Sequence, residues 1–309
     1  MFAAIFLFAS LAFAESKALA LQICLDREGL SPNTIDGQWG RKSERALAAW
    51  FKRRHLPVPA SLDPDAVYDR YFADSGDLFR IETVTAADLA ALVAIPADPA
   101  GKAALDRLGY ESILEMFAER GHVSQTALQR MNPGVDWQHL RPGTRLVIPD
   151  FPPMDTDLAA WPRKPNAKTP RPTAALVKVS LSQCEVRVYD DRGRLLALFP
   201  CSIARDKAKL PDRGELKITV TIAWPNYTYT PDYTPPGEKI RRHILPAGPN
   251  TPIGVAWIGL NLPGYGIHGT VRPESIGNAE SHGCFRLANW NAARLYALVK
   301  SGTKVIVTD

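Results

Sequence analysis

Between Gly266 and Asn289 the chain reads GIHGTVRPESIGNAESHGCFRLAN, which gathers two histidines and one cysteine among glycines. A cysteine is a strong nucleophile only as its thiolate, and a free thiol has a pKa of about 8.5. Catalysis by such a group needs a neighbouring base and electropositive surroundings. Attack on an amide carbonyl also needs donors for the developing oxyanion, and backbone N–H groups beside a glycine approach most closely. His282, Gly283 and Cys284 offer such a segment, and the loop between can return His268 to the same site. A second chemistry open to the same side chains is zinc ligation by His268, His282 and Cys284.

The stretch resembles the L,D-transpeptidase (YkuD-like) catalytic domain, whose signature is H-G-T, a loop, then S-H-G-C-hydrophobic-R. Here it reads His268-Gly269-Thr270, Pro273-Glu274-Ser275-Ile276-Gly277 and Ser281-His282-Gly283-Cys284-Phe285-Arg286. Thr251-Pro252-Ile253-Gly254 fits the family's P-x-G turn upstream. The resemblance covers residues 174–309 and implies Cys284 as nucleophile and His268 as the proton acceptor and donor. It further implies that Gly269 orients His268, that His282 supports the site, and that N–H groups at Gly283 and Cys284 form the oxyanion hole. Arg286 would steady the loop, bind a substrate carboxylate or form a structural ion pair. The implied reaction is acyl transfer on peptidoglycan stem peptides in cell-wall biogenesis. Cys284 attacks the third-residue carbonyl, D-Ala leaves, and an amine takes the acyl group. With water as acceptor the same residues make an L,D-carboxypeptidase. Neither a metal nor an organic cofactor is implied.

Strands must carry these residues. ALVKVSL, CEVRVYD, RLLALFP, ELKITVTI, VAWIGL and TKVIVT are short and rich in β-branched and apolar residues, and one helix is expected in NWNAARLYALVK. The expected catalytic domain, 174–309, is therefore mainly β. The aromatic, Pro-rich insertion from Ala223 to His243 suits a lid or a long surface loop. Residues 151–173 are rich in proline and read as a semi-extended linker, which would let the front half act by raising the local concentration of substrate.

Ahead of the linker, residues 17–54 read as helix, turn, helix. Ile35-Asp36-Gly37-Gln38-Trp39-Gly40, with the run after it, resembles the small helical peptidoglycan-binding domain, taken over 15–73 as an all-α unit. Residues 74–150 form an α+β region whose later part, from Gly121-His122-Val123-Ser124 to Leu146-Val147-Ile148-Pro149, resembles a lysin-motif (LysM) module without its opening G-D-T. His122 and His139 read there as surface or capping residues. Both resemblances imply glycan or peptide of the wall as partner.

The 309 residues, 46% hydrophobic and 22% charged with a formal net charge of +5, have the composition of a folded protein with room for two or three domains. The excess of Lys and Arg suits a polyanionic neighbour or a solvated surface; no motif points to nucleic acid. Residues 1–14 are one uncharged apolar run ending in Ala12-Phe13-Ala14, too short to span a bilayer and shaped like a secretory signal, which predicts an exported protein of the periplasm or cell wall. Of the four cysteines, Cys184 and Cys201 lie on two strand-like runs joined by a turn at Asp190-Asp191-Arg192-Gly193. A disulfide between them and two buried thiols are both open. Oligomeric state is not legible.

Overall fold

A computed structural model describes residues 16–151, 174–231, 239–277, 279–281 and 283–309. The signal-like run, the Pro-rich linker after Phe151 and His282 lie outside the described residues. Three helices begin the chain: α1 (Lys17–Arg27), α2 (Arg41–Arg53) and α3 (Pro64–Tyr71). Leu19, Leu21, Ile23 and Leu25 recur every second residue, yet they form a helix, because α1 is buried on all sides from Leu19 to Asp26. Ser16 caps its start by accepting from the Leu19 N–H. The buried Gln22 then organises the D-G-x-x-G loop. Its Oε1 accepts from the N–H groups of Asp36 and Gly37, and its Nε2 donates to Asp36, to the Gln38 carbonyl and to Ser43.

The middle region opens and closes on an antiparallel strand pair, β1 (Phe79–Thr83) and β2 (Arg145–Pro149). Between them lie α4 (Ala86–Ala90), α5 (Pro99–Ala103), α6 (Ile113–Arg120) and α7 (Gln125–Met131). Helix α7 stops at Asn132, ahead of Pro133, and the Asn132 side chain both accepts from Val147 N–H at 2.7 Å and donates to its carbonyl, pinning β2. His139 is exposed, as read from the sequence, and its Nδ1 lies 2.9 Å from Asp136 Oδ2.

The remaining strands are β3 (Leu176–Ser180), β4 (Glu185–Tyr189), β5 (Leu195–Pro200), β6 (Ile203–Ala204), β7 (Gly214–Ala223), β8 (Tyr227–Tyr229), β9 (His243–Leu245), β10 (Ala256–Leu260), β11 (Gly266–His268), β12 (Ala279–Ser281), β13 (Phe285–Arg286) and, after helix α8 (Asn289–Leu298), β14 (Lys304–Thr308). Eight of them form one sheet in the order β13-β11-β10-β7-β14-β3-β4-β5. All six expected strands are there, with the expected helix α8. The insertion carries its own two-stranded sheet, β8 with β9, and its residues 232–238 lie outside the described residues. Cys184 faces Cys201 across the β4–β5 hairpin, one rung beyond the Glu185–Pro200 pair, and Cys201 N–H donates to the Cys184 carbonyl at 2.8 Å. Both thiols are free: Cys201 is sealed in the catalytic core, while Cys184 lines a crevice with Lys42 and Arg45. No helix among the described residues is long and apolar enough to cross a membrane.

The front half does not hang free of the catalytic sheet. Strand β5 is an edge, and an open edge invites foreign pairing. Here Leu198 N–H donates to the Gly29 carbonyl and Ser31 N–H to the Leu198 carbonyl, so the chain after α1 covers that edge. Leu198 packs into the front-half core. Helix α8 supplies the polar seam: Asn291 donates to Ser31 Oγ, and Arg294 donates to both the backbone carbonyl and Oδ2 of Asp26.

His122 corrects the reading of a surface residue. It is 1% exposed, its Nδ1 lies 2.7 Å from Asp26 Oδ2, and its ring stacks on Phe151 and Trp290. The expectation failed because its partners Asp26, Phe151 and Trp290 come from three separate stretches of the chain, beyond local pattern. Burial lowers the His122 pKa despite the Asp26 carboxylate, which Arg294 already neutralises. A histidine neutral in the fold but free to protonate once unfolded contributes stability that is lost as pH falls below its unfolded pKa, about 6.5. Replacing it by Asn, which tolerates the positive φ at this position and keeps a donor for Asp26, removes that titration. Urea unfolding should show the His122→Asn protein losing less stability than wild type as pH falls from about 7.5 to 5.5. Equal acid sensitivity would mean that His122 is charged in the fold.

Candidate active site

Strand β11 lies between β10 and β13, paired antiparallel to the first and parallel to the second. The register sets His268 beside Arg286 and Ile267 beside Phe285, which brings Cys284 level with Gly266. Side chains alternate across a strand. Ile258, Ile267 and Phe285 therefore enter the core, fully buried, while His268, Arg286 and Cys284 share the opposite face. Trp257 and Gly259 of β10, and Ile222 and Val220 of β7, continue that face and give it an apolar floor. Arg286 is held from both sides, because its backbone also exchanges two hydrogen bonds with Ser202.

His268 is buried, at 4% exposure, and its Nδ1 lies 2.7 Å from the Gly269 carbonyl oxygen. A carbonyl only accepts, so Nδ1 carries the proton and Nε2 carries the lone pair. Burial lowers the imidazole to a pKa of about 4, with the Gly269 carbonyl opposing and Arg286 assisting. The ring stacks on Trp257, with centroids 5.7 Å apart. That indole needs the glycine on the neighbouring strand: a Cβ at Gly266 would fall 2.6 Å from the Trp257 ring.

Cys284 is partly exposed, and its thiol donates to the Gly264 carbonyl at 3.4 Å. Burial pushes the thiol pKa up; a hydrogen bond from the Gly266 backbone and the charge of Arg286 oppose the rise. Arg286 thus favours the neutral imidazole and the thiolate together. Before it, Gly283 sits at φ +147°, where a side chain would press on Tyr265 and the Lys209 carbonyl, so the peptide leading to Cys284 requires glycine.

Gly269 is as constrained. A Cβ there would fall 2.2 Å from Asn289 Oδ1, and one at Gly254 would fall 2.0 Å from the same atom. The P-x-G turn and the H-G-T segment therefore meet over one amide. The structure brings His268, Gly269, Gly283, Cys284 and Arg286 to one end of the sheet; His282 lies outside the described residues. Reading the sequence missed Trp257, Gly266 and Asn289, since nothing local marks a strand glycine or a helix-start asparagine as part of a site. Among the described residues no three His, Cys, Asp or Glu side chains converge as metal ligands.

Residues 174–307 match the L,D-transpeptidase catalytic domain, YkuD. A relative from Bacillus subtilis that carries the name L,D-transpeptidase YqjB is 30% identical over 154 residues, covering 48% of this chain and 78% of the relative. The chain belongs to the L,D-transpeptidase family. It is also 29% identical over 195 residues to a Bacillus licheniformis relative named L,D-transpeptidase YkuD, covering 63% of this chain and 93% of the relative. Among solved structures it is similar to an L,D-transpeptidase from Mycobacterium smegmatis, at 21% identity and a TM-score of 0.35 over 44% of this chain; it spans 59% of that protein's length.

In this member of the L,D-transpeptidase family the resting thiol and imidazole are both driven towards their neutral forms. Alkylation of Cys284 by iodoacetamide, followed by peptide mass spectrometry, should therefore be slow at neutral pH and rise only above about pH 8.5. A half-rise below that value would mean a thiolate already formed at rest.

Proposed function

We propose that this chain is an acyltransferase acting on peptidoglycan tetrapeptide stems, with Cys284 as nucleophile and His268 as the proton carrier. One observation carries the assignment. His268 commits Nδ1–H to the Gly269 carbonyl and so offers Nε2 on the face that Cys284 shares. The thiol proton passes to Nε2 as Sγ attacks the carbonyl of the third stem residue. The oxyanion is met by N–H groups at Gly283 and Cys284, in a peptide shaped by the positive φ of Gly283. Collapse expels D-Ala, whose amine takes the proton from Nε2, and a thioester remains. An acceptor amine then attacks, its proton passes to Nε2, and the sulfur departs as a thiol when that proton returns.

Arg286 stabilises the thiolate and, by disfavouring the imidazolium, helps His268 hand its proton on. His282, two residues before the nucleophile, is assigned a supporting role from the motif alone. The front half, as 15–73 and 74–150, is read as two wall-facing modules joined to 174–309 through 151–173. The strand pair enclosing α4 to α7, with Asn132 bracing β2, supports the lysin-motif reading of the second. The match to the Bacillus licheniformis relative extends ahead of the catalytic domain and so into that region. Because the seam fixes the front half to the sheet, wall binding would set orientation as well as local concentration. Such a protein works outside the cytoplasm, as the N-terminal run predicts.

Full-length protein incubated with a soluble tetrapeptide and an amine acceptor should release D-Ala and give the cross-linked or exchanged product by mass spectrometry. Cys284→Ala should lower turnover by about 1,000-fold or more, and His268→Ala by a similar factor, because residues of one catalytic unit fail together. Transfer surviving in the Cys284→Ala protein would overturn the mechanism. Release of tripeptide alone would make water the acceptor.

A further inference from the structure

Asn289 is the hinge of the site's architecture, and its own partner comes from outside the catalytic domain. Its amide is oriented without ambiguity, because it meets donors on one side and acceptors on the other. Nδ2 donates to the Pro249 carbonyl at 3.1 Å and to both oxygens of Glu119, at 3.3 and 3.0 Å. Oδ1 accepts from Val255 N–H and fills the space where Gly254 and Gly269 lack a Cβ. Gly269 in turn presents the carbonyl that holds His268 Nδ1. Glu119 stands at the end of α6, 170 residues from Asn289, and is itself fixed by Tyr110, whose hydroxyl donates to Oε1 at 2.9 Å. The loop after α5 is locked to the same turn: Leu108 N–H donates to the Ala247 carbonyl, Asn250 N–H returns to the Leu108 carbonyl, and Asn250 Nδ2 donates to the Gly109 carbonyl.

We propose that Glu119, from the front half of the chain, is a positioning residue for catalysis, holding the Asn289 amide that packs on Gly254 and Gly269 and thereby the carbonyl that orients His268. The proposal rests on the reading of His268 and Cys284 as the catalytic pair. The route is a chain of direct contacts, and each link has a geometric cost if it slips. A rotated Asn289 amide would set its NH2 group against Val255 N–H and its oxygen against the Pro249 carbonyl. Relaxing from that clash moves the peptide of Gly269, which has no other side chain packed over it within the same distance. Small displacements of a proton carrier cost rate. Desolvation raises the Glu119 carboxyl to a pKa of about 7, so it is partly protonated near neutrality, and the isosteric Gln imitates that form.

The test uses the full chain, a soluble tetrapeptide with an amine acceptor, and steady-state kinetics. Glu119→Ala should lower kcat about tenfold with KM changed less than about twofold. Glu119→Gln keeps one acceptor oxygen for Asn289 and should retain at least about half of kcat. If Glu119→Ala does not fold by circular dichroism, Glu119→Asp carries the same test, since its carboxylate is one methylene short of Asn289. Ser31→Ala loosens the seam at Asn291 without touching Asn289 and should leave kcat unchanged. Wild-type kcat in the Ala or Asp variant would overturn the proposal, as would an equal loss in Ser31→Ala. His268→Ala in the same assay keeps the two ideas apart. If it turns over like wild type, the catalytic pair is wrong; if it fails while Glu119→Ala does not, only the role of Glu119 is lost.

Discussion

The hydrogen bond from His268 Nδ1 to the carbonyl of the very next residue decides what the surrounding groups must do. An imidazole that donates to its own chain has one tautomer, and the tautomer leaves Nε2 as the only basic atom. The acceptor is a peptide oxygen rather than a carboxylate, so nothing anionic offsets the burial of a charged ring, and the imidazole stays neutral. The geometry therefore has to be maintained by packing. Trp257 lies against the ring, Gly266 makes room for the indole, and Asn289 presses on Gly269 where a side chain would otherwise stand. Three glycines are fixed by two large neighbours.

That dependence explains why the front half is attached as it is. The β5 edge, the polar residues of α8 and a turn at Gly248 too tight for any Cβ all meet residues 16–151. A Cβ at Gly248 would fall 2.0 Å from the Leu108 carbonyl oxygen. The buried charges at the seam stabilise the join only as a complete set. Arg294 neutralises Asp26, His122 satisfies the same oxygen, and removing one member strands the others in a desolvated space.

Much of this was legible in the residue order. Six strands and α8 follow from runs of Val, Ile and Leu, and the helix pair at 17–54 follows from its turn-rich centre. The proposed reactive cluster was legible because catalysis demands residue types, not only spacing. What escaped is informative. Strands β11 and β13, which carry His268 and adjoin Cys284, are three and two residues long and have no alternation to read. His122 looked like a surface residue because Asp26, Phe151 and Trp290 are scattered over the chain. Glu119 has no local mark at all: a glutamate near a helix end, before Arg120 and Gly121, reads as solvated until Asn289 is folded against it. Pairings between distant segments set these roles, and no periodicity encodes them.

The electrostatics of the pair have a further consequence for a protein that we assign to an oxidising compartment. Thiolates, not thiols, enter the oxidation ladder and disulfide exchange, so a nucleophilic cysteine outside the cytoplasm is at risk whenever it is ionised at rest. Burial that raises the Cys284 pKa suppresses that form, and under the proposed mechanism the neutral His268 would take the proton only once a substrate places a carbonyl within reach. Arg286 opposes the rise at Cys284 and acts with burial at His268, and burial is the larger influence on each. Cys24, Cys184 and Cys201 are likewise raised by desolvation, Cys201 furthest, with the least exposure. Protection of the thiol at rest thus comes from one cause, the burial of the sheet face that holds it.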